Sequence, residues 1–174
     1  MKTESSSTSE SASEASPDKE KAIAAFLERH DLSAEDVAYL DDRLHRMLKV
    51  ADRLAPIFFG ELFNHMPQAE HMFDDDDGGA RLIMYRSILW SAAACLKDPE
   101  QVHARLEEIG ETHAQRGISS LQLRTGQQAS LDSLAHMLPK LEYREREDLW
   151  QKIYQIIVDA MQPNFTVSGT DGED

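Results

Sequence analysis

Cysteine is nearly absent from this chain. Cys95 is the single one in 174 residues, which excludes an internal disulfide and any cysteine-rich metal site. Its apolar, helical surroundings fit a buried and inert thiol. Basic residues are scarce as well, 18 Lys and Arg against 32 Asp and Glu, and the resulting net charge of −14 repels phosphate. Neither a nucleic acid nor an anionic membrane surface is therefore an expected partner. No apolar run approaches the roughly 20 residues that span a bilayer. No basic-then-apolar stretch opens the chain as a secretory signal would, so we expect a cytoplasmic protein. No alternation of apolar and polar residues marks a strand. What remains is helix.

Hydrophobic residues make up 41% of the chain, enough to pack one domain carrying tails. Residues 1–17 hold seven Ser, several Glu and almost no aliphatic side chain beyond Ala. Such a tract cannot bury enough surface to offset the entropy of ordering, and residues 166–174 read the same way, so both are expected to be disordered acidic tails. Pro17-Asp-Lys-Glu opens a short helix expected over 18–31, with Ile23, Phe26 and Leu27 inward. Ser33-Ala-Glu-Asp36 puts an acid three residues after a Ser, a capping-box variant that launches Val37, Leu40 and Leu44. A third helix runs from about 53 through Ile57, Phe58, Leu62 and Phe63 and stops before Pro67. A short turn of helix then reaches Phe73.

Asp74–Asp77 with Gly78 and Gly79 reads as a loop that loads acid ahead of the next helix. Its spacing lacks the alternation and distal Glu of a calcium loop. Helices are expected over about 80–97, from Pro99 to beyond His113, and over about 124–138 and 144–162. The last is apolar around much of its circumference, as a helix at the centre of the packing would be.

Within this all-α frame one histidine stands out. Val102, Leu106, Ile109 and His113 form a stripe spaced 4, 3 and 4, and Gly117 follows four residues later. Forty residues upstream, Phe73 closes the segment Pro67-Gln-Ala-Glu-His-Met-Phe73. Taken alone, His113 fits a capping or partly buried helix-end residue. It also fits an axial nitrogen ligand to an iron porphyrin, with Phe73 packed on the ring face.

Three segments resemble the globin family, and the resemblance spans residues 32–165. Phe58-Phe59-Gly-Glu-Leu-Phe63-Asn-His-Met-Pro67, six residues before Phe73, is similar to the second globin helix running into the ring-stacking Phe. Leu106-Glu-Glu-Ile109-Gly110-Glu-Thr-His113-Ala-Gln-Arg-Gly117-Ile118 resembles the proximal helix of bacterial globins. Leu149-Trp150-Gln-Lys-Ile-Tyr154 resembles the terminal helix of single-domain bacterial globins and of the globin domain of flavohaemoglobins.

The resemblance implies a globin fold with an extra short N-terminal helix, haem b as cofactor, and His113 as the iron ligand. It implies Phe73 stacked on the ring, Phe59 on the distal side, and Ile109 and Ile118 as walls beside the proximal histidine. For the distal helix it leaves the register open. The position usually holding His or Gln falls between Arg81 and Met84, and the apolar position one turn on between Tyr85 and Ile88. Residues 72–102 contain no His, so bis-histidine ligation from this helix is not expected, and His71 and His103 read as surface residues.

Bound dioxygen carries partial negative charge, so a hydrogen-bond donor above it slows its release. Phe59 offers none. Met84 or Ile83 facing the iron would make the pocket apolar, with fast oxygen release and easier autoxidation; Arg81 or Tyr85 reaching inward would supply a donor. Flavohaemoglobins support their proximal histidine with a Tyr and a Glu, and the matching positions here are Leu123 and Phe165, which implies less imidazolate character in His113. No flavin or nicotinamide module follows the last globin helix, so NO dioxygenase turnover is expected to be slow and to use an external reductase.

The expected function is reversible binding of a diatomic gas (O2, NO or CO), for oxygen binding or transport or for NO scavenging. The helix over 18–31 resembles the segment preceding the first helix of globin-coupled sensors. A gas sensor acting through a partner protein is accordingly the second reading, and a haem-free interaction domain the third.

Overall fold

The computed structural model describes residues 16–73 and 78–162. The two tails, the Asp74–Asp77 run and Phe165 lie outside these residues. Within them the chain is all-α. The helices are α1 (Pro17–Arg29), α2 (Ala34–Lys49), α3 (Ala51–His65), α4 (Gly79–Cys95), α5 (Pro99–Gln115), α6 (Ser120–Met137) and α7 (Lys140–Met161), with a 3₁₀ turn over Pro67–Phe73 between α3 and α4.

Local chemistry accounts for most of the boundaries. Ser33 accepts from the Asp36 backbone N–H while the Asp36 carboxylate accepts from the Ser33 N–H, a closed capping box at the start of α2. α3 gives way at Met66, which has the extended φ of −142° and ψ of 74° that a following proline favours. α6 begins four residues earlier than its apolar periodicity predicts. Ser119 and Gln122 form a second capping box there, with an amide in the place of the acid. α7 also begins early, at Lys140, and bends at Arg146 (φ −129°, ψ 15°). At that bend Arg146 reaches Glu35 at 2.8 Å and Asp36 at 3.0 Å, joining α7 to the capped start of α2. A bend fixed by a long-range ion pair carries no local signal.

α7 lies at the centre and packs on α4, α5 and α6, while α3 crosses both α4 and α6. Trp150 and Ile153 of α7 are fully buried, together with Leu40 and Leu44 of α2, Phe58 of α3, Tyr85 and Leu89 of α4, Leu106 of α5 and Leu134 of α6. Burying side chains of this size contributes about 1.5–3 kcal/mol each. α1 sits outside this core. None of its residues is fully buried; it leans on α5, and Lys19 bonds Asp98 at 2.8 Å. No helix among the described residues is long and apolar enough to cross a membrane.

Candidate cofactor site

α5 delivers His113. Asp98 caps its start by accepting from the Gln101 N–H, and Pro99 occupies the first turn, where its missing N–H costs nothing. Val102, Leu106 and Gly110 are buried, whereas Ile109 and His113, further along the same stripe as Val102 and Leu106, are half-buried. Gly110 is required by packing. A Cβ there would overlap the Met161 backbone carbonyl, so only glycine lets α5 lie this close to the end of α7.

The end of α5 holds His113 from two directions. Gly117 takes a positive φ of 78°. Around it Ile118 N–H donates to the His113 carbonyl at 3.0 Å and Gly117 N–H to that of Ala114 at 2.9 Å. This is a Schellman closure. The imidazole Nδ1 lies 2.7 Å from the Ile109 carbonyl oxygen. A carbonyl can only accept, so Nδ1 carries a proton, and in the neutral form the lone pair lies on Nε2. That is the tautomer a metal-binding histidine needs, with its orientation set by the hydrogen bond on the other nitrogen. Ile118, directly after the closure, is half-buried, and Leu123 is buried one turn into α6.

A second group gathers at the junction of α3, the 3₁₀ turn and α4. Phe59, only 2% exposed, meets Phe73 edge-on with ring centroids 5.1 Å apart, and Phe63 lies 5.7 Å from Phe59 and 6.1 Å from Phe73. Spacings of this kind suit the quadrupoles of aromatic rings. Phe73 itself is half-buried. The Arg81 guanidinium lies over this group, 5.7 Å from the Phe63 ring and 6.0 Å from that of Phe73, with Nη2 3.5 Å from the Phe73 carbonyl oxygen. Phe63 and Arg81 thus join a cluster that spacing alone showed only as Phe59 and Phe73.

Arg81 orients α4. The positions 81, 84, 88, 91 and 95, spaced 3, 4, 3 and 4, share one face. Ser91 and Cys95 on it are buried near the α4–α5 junction, whereas Arg81, Met84 and Ile88 are half-buried. The face therefore opens as it leaves that junction, toward the aromatic group. Tyr85 belongs to the neighbouring face. It is 2% exposed, its ring is 5.5 Å from that of Phe58, and its hydroxyl lies 3.5 Å from Met137 Sδ. Burial raises its pKa above the ordinary phenol range, so the hydroxyl stays protonated in the core. Ile83 is 69% exposed, which removes it from the two apolar candidates for the distal position; Met84 stays.

The donor set suits a haem. His113 presents a free Nε2, half-buried apolar side chains flank it, and the buried Cys95 thiol, pushed up to about 12 by desolvation, offers no competing thiolate. His103 is exposed beside Glu107, and His71 is exposed too.

Helices crossing in this order, with a tautomer-fixed histidine near the end of α5 and an aromatic cluster before α4, are a globin arrangement. The sequence matches the globin family over residues 56–161, from Pro56 within α3 to the last residue of α7, more than half of the chain. It belongs to the globin family, whose members generally bind haem and a diatomic gas. No curated protein matches the sequence.

Proposed function

We propose that this globin holds haem b through His113 Nε2 and binds a diatomic gas reversibly, for oxygen binding or NO scavenging. The observation that carries the reading is the hydrogen bond from His113 Nδ1–H to the Ile109 carbonyl, which leaves Nε2 as the free nitrogen. Haem, when bound, supplies a ferrous iron able to take O2, NO or CO. His113 would hold it from one side, with Ile109 and Ile118 beside the imidazole and Phe73 against the ring. Phe59, Met84 and Ile88 would keep water away from the other side.

The Arg81 guanidinium lies 3.5 Å from the Phe73 carbonyl oxygen, while the Tyr85 hydroxyl is engaged by Met137. A distal cation would favour the ligand that accumulates negative charge, oxygen over CO. A backbone carbonyl as the Nδ1 partner leaves the imidazole less basic than a carboxylate partner would. That is consistent with a binding protein, or with slow NO dioxygenation supported by an external reductase.

The first test is haemin addition to the full-length chain, followed by absorption, beside His113→Ala. The expected result is one haem per chain with a sharp Soret band, lost or shifted in the variant. No specific uptake by the wild type would overturn the reading and leave a haem-free interaction domain.

One observation favours a second reading, a gas sensor acting through a partner. α1 leans on α5, the helix that carries His113, and Lys19 bonds the residue that caps it. Complex formation that differs between the ferrous and CO forms in a pull-down would support it; no difference would sink it.

A further inference from the structure

On the side of α3 opposite the aromatic cluster, two helices present matched pairs. Glu61 and His65 are four residues apart on α3, offset by two from Phe59 and Phe63 and so rotated about 200° from them. Asp132 and His136 are four apart on α6. They pair crosswise: His65 Nε2 lies 2.6 Å from Asp132 Oδ2, and His136 Nε2 lies 3.1 Å from Glu61 Oε1. Gln128 donates to the other Asp132 oxygen at 2.9 Å, which orients that carboxylate. Glu61, His65 and Asp132 offer three ligand atoms all within 4.8 Å of one another. The cluster is accessible without being fully exposed, with side-chain exposures of 21% for Glu61, 37% for His65 and 36% for Asp132.

We infer that this α3–α6 cluster is a binding site for a late first-row divalent cation such as zinc(II), with Glu61, His65 and Asp132 as ligands and His136 as the fourth. The donor chemistry selects the ion. Imidazole with carboxylate suits zinc, copper or nickel, whereas calcium and magnesium prefer oxygen alone. The spacing is compatible as well. Ligand atoms at zinc distances of about 2.0–2.1 Å in a tetrahedron lie about 3.4 Å apart, so the three atoms reach that geometry by small rotamer adjustments.

The carboxylates that now face the imidazole Nε2 atoms would bind the cation instead, and each neutral imidazole would keep its proton on Nδ1 as Nε2 turns to the ion. The overall charge of −14 draws cations to the surface. Because α3 also carries Phe59 and Phe63, a bound ion would brace the helix behind the aromatic cluster, yet the site requires no haem.

Zinc chloride titrated into the chelator-treated full-length chain tests this by calorimetry. We expect one saturable site. His65→Gln and Asp132→Asn should each weaken it by at least the roughly 10–100-fold that even an outer-shell change costs. His113→Ala should leave it unchanged, which separates this site from the haem ligand. Zinc should also raise the Tm of the wild type and not that of His65→Gln; all these side chains are partly solvent-exposed, so helicity by circular dichroism should be retained in every variant. No saturable binding, or an affinity unchanged in both His65→Gln and Asp132→Asn, would overturn the proposal.

Discussion

On the α5 side of the candidate haem site the hydrogen bonds that fix His113 close within five residues of it, whereas on the α4 side Arg81 is held by rings and a carbonyl at Phe63 and Phe73. The α5 half is a helix terminus in which one histidine supplies both a backbone acceptor to the closure and a side-chain donor to the preceding turn. The α4 half is a surface on which several side chains could face inward, and packing against α3 selects among them. Local hydrogen bonds make the first half rigid and readable. The second half depends on how far α4 is rotated, which no short segment specifies.

The comparison is broken most severely by unseating α5 as a whole. Gly110→Val would drive two branches into the Met161 carbonyl and should destabilise the chain by about 3 kcal/mol. Urea unfolding would measure this; an unchanged midpoint would mean that α5 and α7 separate at little cost.

A smaller loss, about 1–2 kcal/mol, is expected for Gly117→Ala, because a side chain at φ 78° meets the following carbonyl. Gly117→Asn should recover much of that loss, since asparagine tolerates the left-handed region. If the Schellman closure orients His113, Gly117→Ala should also weaken haem retention, and unaltered retention would assign orientation to the Ile109 carbonyl alone.

The smallest effect on stability belongs to Arg81→Leu, about 1 kcal/mol for a half-buried cation over aromatic rings. Its informative readout is spectroscopic. The C–O stretch of the CO complex of the haem-loaded chain should move toward the value of an apolar pocket, and a frequency identical to wild type would remove Arg81 from the distal side. The two halves therefore separate by assay: α5 variants move stability and haem retention, whereas the α4 variant moves the ligand vibration.

How much of this was legible before the structure follows the same division. Ser33 and Asp36 declare a helix start because both partners of the cap lie in four consecutive residues. The stripe from Val102 to His113, ended by Gly117, is legible for the same reason. The start of α6 is not legible from apolar rhythm because Gln122 plays the capping part more often given to an acid. Tyr85 and Met84 are adjacent in sequence, and spacing offered both for the haem; the structure turns the Tyr85 hydroxyl to Met137 and leaves Met84 beside Arg81 on the half-buried face. Ile83, equally apolar, faces solvent.

The sequence by itself determined the helical class, most helix boundaries and the chemistry at the end of α5, since these rest on interactions that close within one turn. Tertiary structure alone decided which face of α4 meets Phe63 and Phe73, how closely α5 approaches Met161, and that Glu61 and His65 meet Asp132 and His136. Those depend on the relative placement of helices tens of residues apart. That placement is set by the packing of the whole core around Trp150 and Ile153, to which every helix from α2 to α7 contributes.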